Sequence, residues 1–417
     1  MRQVHDTRQE KQVIYAGPFL LWMTQFLFLL KMGSRRRLNF ELDSPEALAN
    51  LNRLSGCHQE TVADDETVDH YLSHVTPQQI HAFRRRIMHR LVRMKALDGG
   101  RLMGRFLIAV DGTGQLHFHE RHCEHCLTMT SGGKTIYYHH ILEAKLVTPE
   151  GLALSIGSEF IENSRAGASK QDCELRAFAR LADQLKKDYP QLPMCLLLDA
   201  LYANGPVFEL CRKNHWNFIT SFKKGSLPSL WREYVSLRRL SRQNRRRREA
   251  KAGKPAQHFA WVTPLEHRDE RGHCHHLSAF QCLEKNEKGR WRRFAWLTNL
   301  PVNAASVEPL SNRGGRVRWK IENEGFNIQK NGGFNLEHAY SLDDRQTKNF
   351  YVLMQIAHVI LQLLEHGNLL GGDAQILFGS LAGLARRLAE SLRHYPISDE
   401  ALDPALAAAI RIPLDSG

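Results

Sequence analysis

The hydropathy pattern divides the chain into a helical beginning, a strand-rich middle and a helical end. Residues 13–32, VIYAGPFLLWMTQFLFLLKM, are apolar on nearly every face from Pro18 onward, which predicts a fully buried or dimer-interface helix. Gly17-Pro18 breaks that run early, and Thr24, Gln25 and Lys31 interrupt it, so a membrane span is disfavoured. No small-residue cleavage site follows it, which also argues against a signal peptide. Ser44-Pro45 and Thr76-Pro77 each place a capping hydroxyl before a proline suited to the first helical turn. The second of these predicts a long helix over 77–96, with Ile80, Phe83, Ile87 and Leu91 on a core face. Its Arg84-Arg85-Arg86, His89, Arg90 and Arg93 read as a solvated face or as a DNA-backbone contact surface.

The period changes at about 105. Phe106–Val110 is an unbroken apolar pentad ending in Asp111, and 136–147 and 152–161 complete a strand meander. An amphipathic helix over 170–188 leads to a second apolar pentad, Met194–Leu198, ending in Asp199. A helix from Asn204-Gly205-Pro206 to about 214 and a strand over 216–222 complete a βαβ unit, which implies parallel pairing. Residues 232–254 carry ten basic and two acidic side chains, including Arg245, Arg246, Arg247 and Arg248, and end in Gly253-Lys254-Pro255. They read as a flexible basic loop or frayed helix. A β-rich stretch follows to about 302, with turns at 269–272 and 286–289, and the remainder is helical over 316–331, 347–365 and 373–394.

Composition adds a direction. The chain has 417 residues, 57 basic against 44 acidic, a formal charge of +13 and 42% apolar positions, so it is neither disordered nor a disulfide scaffold. The excess of cations points to a polyanionic partner, nucleic acid before membrane. Eight scattered cysteines suit a reduced cytoplasm.

Three carboxylates carry the candidate chemistry. Asp111 and Asp199 each follow five apolar residues, so each stands at the carboxyl end of a buried strand, although Asp111-Gly112 alone is also an ordinary turn dipeptide. If those strands are neighbours, the two carboxylates can share a hard divalent cation such as Mg²⁺. In RVRWKIENEGFNIQK, residues 316–330, Arg318 and Glu322 are four apart on one helical face with Lys330 near it, while Glu324 lies about 200° around the helix. Read alone, Arg318 and Glu322 make a plain surface ion pair.

Taken in order, these segments resemble the DDE transposases of bacterial insertion sequences, in the RNase H-like, retroviral-integrase superfamily. One large branch has the signature Tyr-x2-Arg-x3-Glu-x6-Lys. Here Arg318-Trp319-Lys320-Ile321-Glu322 is close to its usual Arg-Trp-x-Ile-Glu, but Gly315 stands at the tyrosine position and Gln329 at the lysine position, with Lys330 one later. The resemblance covers 100–365. It implies a triad of Asp111, Asp199 and Glu322 holding two Mg²⁺ (or Mn²⁺) ions for cleavage and joining of DNA strands. It also implies phosphate contacts from Arg318 and Lys330, and from Lys223 and Lys224. Related enzymes grip a flipped base with an aromatic of the inserted region, which makes Trp291 or Trp296 in RWRRFAW the expected counterpart. The Arg245–Arg248 run suits nonspecific phosphate binding.

A second cluster has metal-ligand spacing. Cys123 and Cys126, with His119 and His139 or His140, have the spacing of a structural Zn²⁺ site, or are simply two buried thiols. His273, Cys274, His275, His276 and Cys282 fit no common site and read as exposed turn plus strand.

The expected architecture is an RNase H-like mixed α/β sheet flanked by helices, with a β-rich insertion and helical terminal regions. Its expected units are a helical DNA-binding and dimerisation region (1–100), a catalytic core in two parts (101–225 and 303–365), the basic loop with β-rich insertion (226–302) and a helical tail (366–417). The expected function is cut-and-join DNA transposition by a homodimer on terminal inverted repeats and target DNA, in the cytoplasm near the nucleoid and away from the membrane. A nuclease that cuts without joining, or a zinc-stabilised DNA-binding regulator with an inactive core, are the alternatives.

Overall fold

The computed structural model describes residues 4–8, 13–164, 171–251, 255–370 and 374–413. Residue 170 of the expected helix, Gly253 and Lys254 of the basic stretch, and residue 373 lie outside them.

The apolar pentads become the centre of one ten-stranded mixed sheet. Its strands are β1 (Phe106–Phe118), β2 (Leu127–Ser131), β3 (Lys134–Val147), β4 (Ala153–Ile161), β5 (Met194–Leu198), β6 (Asn217–Ser221), β7 (Arg245–Arg248), β8 (Gln257–Arg268), β9 (Cys274–Lys285) and β10 (Trp291–Thr298). They run in the order β2-β3-β1-β5-β6-β10-β9-β8-β7, with β4 also on β3. β1 pairs antiparallel with β3 and parallel with β5, and β5 pairs parallel with β6. Continuous apolar runs are what such strands require, because helices cover both faces. The expected mixed sheet, its β-rich stretch and the helical ends are therefore present. The β-rich stretch is joined to the rest directly: β10 pairs with β6, Trp296 opposite Ser221, so the backbone ladder continues through it.

The basic stretch differs from the expected loop or frayed helix. Its first part is the helix Pro228–Leu240, and the four arginines form β7, an edge strand on β8. Strand alternation explains how four adjacent cations are tolerated. Arg246 and Arg248 turn to one carboxylate, Glu308, at 2.8 and 3.4 Å, while Arg245 and Arg247 point the other way.

Both chain ends form a second, helical core. The helix Gly17–Leu29 is buried along almost its whole length, because Phe19, Leu20, Met23, Leu27 and Phe28 pack against the long helix Asp344–His366. Burial of each such side chain contributes about 1.5–3 kcal/mol. The expectation of a buried helix is met, and among the described residues no helix is long and apolar enough to cross a membrane. Ser44 caps the helix Pro45–Ser55 through the Ala47 amide. Asn50 of that helix donates to the Leu392 and Tyr395 carbonyls and accepts from the Ile397 amide, which ties the N-terminal region to the C-terminal one.

The helix Pro77–Arg93 corrects the reading of its arginines. Arg84 is 3% exposed and donates to Ser155 and Ser158 of β4, both at 2.7 Å, while Arg85 pairs with Asp188. Arg84 thus serves hydroxyls inside the fold, because the helix lies on β4 at that position, whereas the Arg85 side chain is still 41% exposed at the surface. Arg86, Arg90 and Arg93 remain exposed.

Candidate active site

Alternation along β1 places Leu107, Ala109 and Asp111 on one face, with Cys195 and Leu197 of β5 beside the first two. Asp199 follows β5 directly, but Asp111 does not end its strand as expected: β1 runs on to Phe118 because β3 keeps pairing with it, and Asp111 stands inside it opposite Glu143, two residues beyond the last position paired with β5. The Asp199 carboxylate accepts from the Leu201 amide at 2.8 Å, and Thr220 of β6 donates to its carbonyl. Burial pushes the Asp111 carboxyl above its ordinary range; Arg318 opposes that shift, and the charge of Asp199 adds to it. The two aspartates therefore sense each other.

The same sheet face is covered by 307–331, where Val317, Ile321 and Phe326 pack on Leu107, Ala109, Leu197 and Ile219. This segment is not the regular helix expected over 316–331. It turns tightly as a 3₁₀ helix over Gly315–Trp319, winds wide in a π-type turn over Ile321–Asn327, and closes with Ile328–Asn331. Glycines permit the close fit. A Cβ on Gly314 would meet Ile219 at 2.6 Å, and one on Gly325 would meet the buried Lys145 stem at 3.0 Å. π-type turns are frequent at functional sites.

Arg318 reaches from this cover to Asp111, its Nη1 2.7 Å from Oδ2. Glu322 follows four residues later, and its segment packs on β1, β3 and β4. Its side chain is exposed and, among the described residues, has no ion pair or hydrogen bond. So Arg318 pairs with Asp111 rather than with Glu322. The structure joins Arg318 to Asp111, with Asp199 after the neighbouring strand, whereas the oxygens of Asp111, Asp199 and Glu322 do not all lie within 4.8 Å of one another. Glu324, expected on the opposite side, pairs with Lys320 at 3.0 Å.

The two departures from the signature have physical counterparts. Gly315, at the tyrosine position, abuts the Trp296 indole, and a Cβ there would lie 2.4 Å from it. Gln329, at the lysine position, is fully buried and bonded to Gln355 and His358. Lys330 is held by Glu337 at 2.9 Å, away from that network.

Sequence reading missed a polar group beneath the same two strands. Tyr202, buried, donates to Glu174 at 3.3 Å, and Glu174 also faces His140 at 3.3 Å. The His140 imidazole beside it holds the Glu174 carboxyl below its usual range, whereas burial, then Glu174, Asp199 and Asp111, push the Tyr202 hydroxyl far up. A Cβ on Gly112 would meet His140 at 2.4 Å and Glu174 at 2.7 Å, so a larger residue there would displace this pair. Gly112 alternates with Asp111, which puts Glu174 across the strand from the aspartate face. No sequence spacing announces Glu174, because only the docking of its helix on β4 brings it here.

Of the aromatic candidates, Trp296 is 4% exposed, stacked between Phe280 and Phe294. Trp291 is 57% exposed, with Lys285 over its ring at 5.5 Å. It lines a cavity of about 580 Å³ with His258, Arg238, Arg239, Arg245 and Arg293. Trp319, beside Arg318, is another exposed indole that the sequence did not single out. Lys223 and Lys224 are exposed just beyond β6.

The metal-ligand spacing is realised in part. Cys123 Sγ lies 3.4 Å from Cys126 Sγ and 3.4 Å from His139 Nε2, and Cys126 Sγ lies 3.6 Å from the same nitrogen. Burial pushes the Cys123 thiol up to about 11 and the His139 imidazole down to about 4. His119 is exposed and outside this group, and His140 is committed to Glu174. In the β-rich stretch, the exposed Glu266, Cys274 and His276 also have donor atoms within 4.8 Å of one another. No protein-family model matches this chain, and no curated protein matches it either.

Proposed function

We propose that the chain is a DDE-type DNA transposase that cuts at the ends of a mobile element and joins them to a target. The observation that carries this reading is the placement of Asp111 within β1 and Asp199 just past β5, each two residues beyond the last parallel pair of these neighbouring strands, on the face covered by the segment that bears Arg318 and Glu322. The donor set fits hard divalent cations, since Asp111, Asp199 and Glu322 offer carboxylate oxygens and no sulfur competes there. Magnesium bound by these residues would activate the attacking oxygen and stabilise the leaving one. Arg318 orients the Asp111 carboxylate and offsets its charge. Exposed Lys223 and Lys224, with Arg245, supply sequence-independent contacts to phosphates. Trp291, in an arginine-lined cavity, suits stacking on an unpaired base. A homodimer bridging two inverted repeats completes the proposal.

The test uses DNA carrying the terminal inverted repeats that flank the chain's own coding region. We expect Mg²⁺- or Mn²⁺-dependent nicking followed by joined product, with both abolished by Asp111→Ala, Asp199→Ala or Glu322→Ala while DNA binding persists. Cutting by the Asp111→Ala protein would refute the assignment. Nicking without joining supports a nuclease, and binding without nicking supports a regulator with an inactive core.

A further inference from the structure

The Cys123, Cys126 and His139 group stands apart from the carboxylate face and does not depend on the transposase reading. Cys123 and Cys126 lie in the connection between β1 and β2, and His139 lies on β3 opposite Leu116 of β1. Two sequence-distant elements therefore present two sulfurs and one imidazole nitrogen to one point. Their mutual separations are 3.4, 3.4 and 3.6 Å. A tetrahedral zinc ion with bonds of about 2.3 Å to sulfur and 2.0–2.1 Å to nitrogen has S···S and S···N edges of about 3.8 and 3.6 Å. The three atoms thus form a nearly equilateral face close to the size that zinc requires.

A chance pair of buried thiols does not explain the arrangement. His139 Nε2 sits almost equally far from both sulfurs, as a ligand to a shared cation would, where a simple hydrogen bond would favour one. The connection is also held in place independently of any cation. Asn163 donates to the Cys126 carbonyl at 2.9 Å, its own amide donates to the His125 carbonyl, and its carbonyl meets the His125 ring at 2.9 Å. Both cysteines are free thiols. Two sulfurs and an imidazole form a soft donor set, which selects zinc over magnesium or calcium.

We propose that Cys123, Cys126 and His139 form a zinc site with three protein ligands and solvent at the fourth vertex. Among the described residues no fourth histidine, cysteine or carboxylate joins the group. The nearby His122 is bonded to the Leu342 carbonyl at 2.7 Å, with its ring centroid 6.4 Å from that of His139. The role that follows is a staple. The ion ties the β1–β2 connection to the middle of β3, next to His140, whose partner Glu174 packs beneath Gly112, the neighbour of Asp111 in β1.

The test is metal analysis of the full-length protein purified with reduced thiols, together with titration by cobalt(II). We expect one zinc per chain and, on replacement, the thiolate-to-cobalt charge-transfer and tetrahedral d–d bands. Cys123→Ser and His139→Ala should lose both signals, and His119→Ala should keep them. Chelation should lower the melting temperature of the wild-type protein and leave that of His139→Ala unchanged, a comparison that survives if the cysteine variant folds poorly. Wild-type protein without zinc and without cobalt bands would overturn the proposal. So would bands that persist in His139→Ala, or a Cys123–Cys126 disulfide found by mass spectrometry under these conditions.

Discussion

Arg318 donates to Asp111 at 2.7 Å, across 207 positions of sequence, and so links the segment carrying Glu322 to the middle of the central strand. Arg318 opposes the upward push of burial on the Asp111 carboxyl. On the proposed function, Arg318→Ala therefore raises that pKa further and moves the acid limb of metal-dependent nicking to higher pH. We expect a rate loss of about 10–100-fold, as for other groups that orient a metal-ligating side chain. A pH–rate profile checks this, and an acid limb that stays in place counts against the role.

Gly315 and Trp296 compete for one volume. Gly315→Tyr, which restores the signature residue, should destabilise the fold by about 1–3 kcal/mol through overpacking. Trp296→Ala alone should cost about 3–5 kcal/mol through the cavity it leaves. In the double variant the ring added at 315 occupies space vacated at 296, so its cost should fall well below the sum of the two. Urea denaturation of the three variants measures the coupling, and strict additivity would mean that the two residues do not share the space.

Trp291 and Trp296 should separate cleanly in function. Trp291→Ala should leave the melting temperature nearly unchanged, because its ring is largely exposed. It should weaken binding to end DNA with unpaired bases by about 1–3 kcal/mol. Fluorescence anisotropy on duplex and partly unpaired ends distinguishes stacking from charge, since loss of charge alone weakens both equally.

Lys145 is fully buried and donates to Gln355 at 2.6 Å, with Glu143 at 3.9 Å. Burial outweighs that carboxylate and pushes the ammonium down from 10.5 to about 8. Below pH 8 the folded protein bears the cost of a buried cation. Between about 8 and 10.5 the unfolded chain holds a proton that the folded one has lost, so wild-type stability rises with pH relative to Lys145→Met. The difference in unfolding free energy should change by about 3 kcal/mol across that window. Denaturant melts at both ends of the range check the sign, and a constant difference would show that Lys145 stays charged.

Some features were legible because they are local. The apolar pentads had to be central strands, and Ser44-Pro45 and Thr76-Pro77 had to open helices, since backbone and capping requirements act within a few residues. The unbroken hydrophobicity around Phe19–Leu29 announced a helix with no wet face. The reading failed where neighbours outvoted local pattern. Arg245–Arg248 looked like a loop, yet Glu308 and the free edge of β8 make it a strand. Arg84 looked solvated, yet β4 offers it Ser155 and Ser158.

The chain's own order of residues thus determined which strands are buried, that Asp199 directly follows one of them, and that cations outnumber anions, but not that β1 runs on past Asp111 to Phe118. Only tertiary structure decided that Arg318 turns to Asp111, that Gly315 yields its place to Trp296, and that His139 joins the two cysteines while His119 and His140 do not. Periodicity fixes which face a side chain takes within its own element. Which distant groups meet on that face depends on how elements dock, through packing volumes and buried charges that no single segment contains.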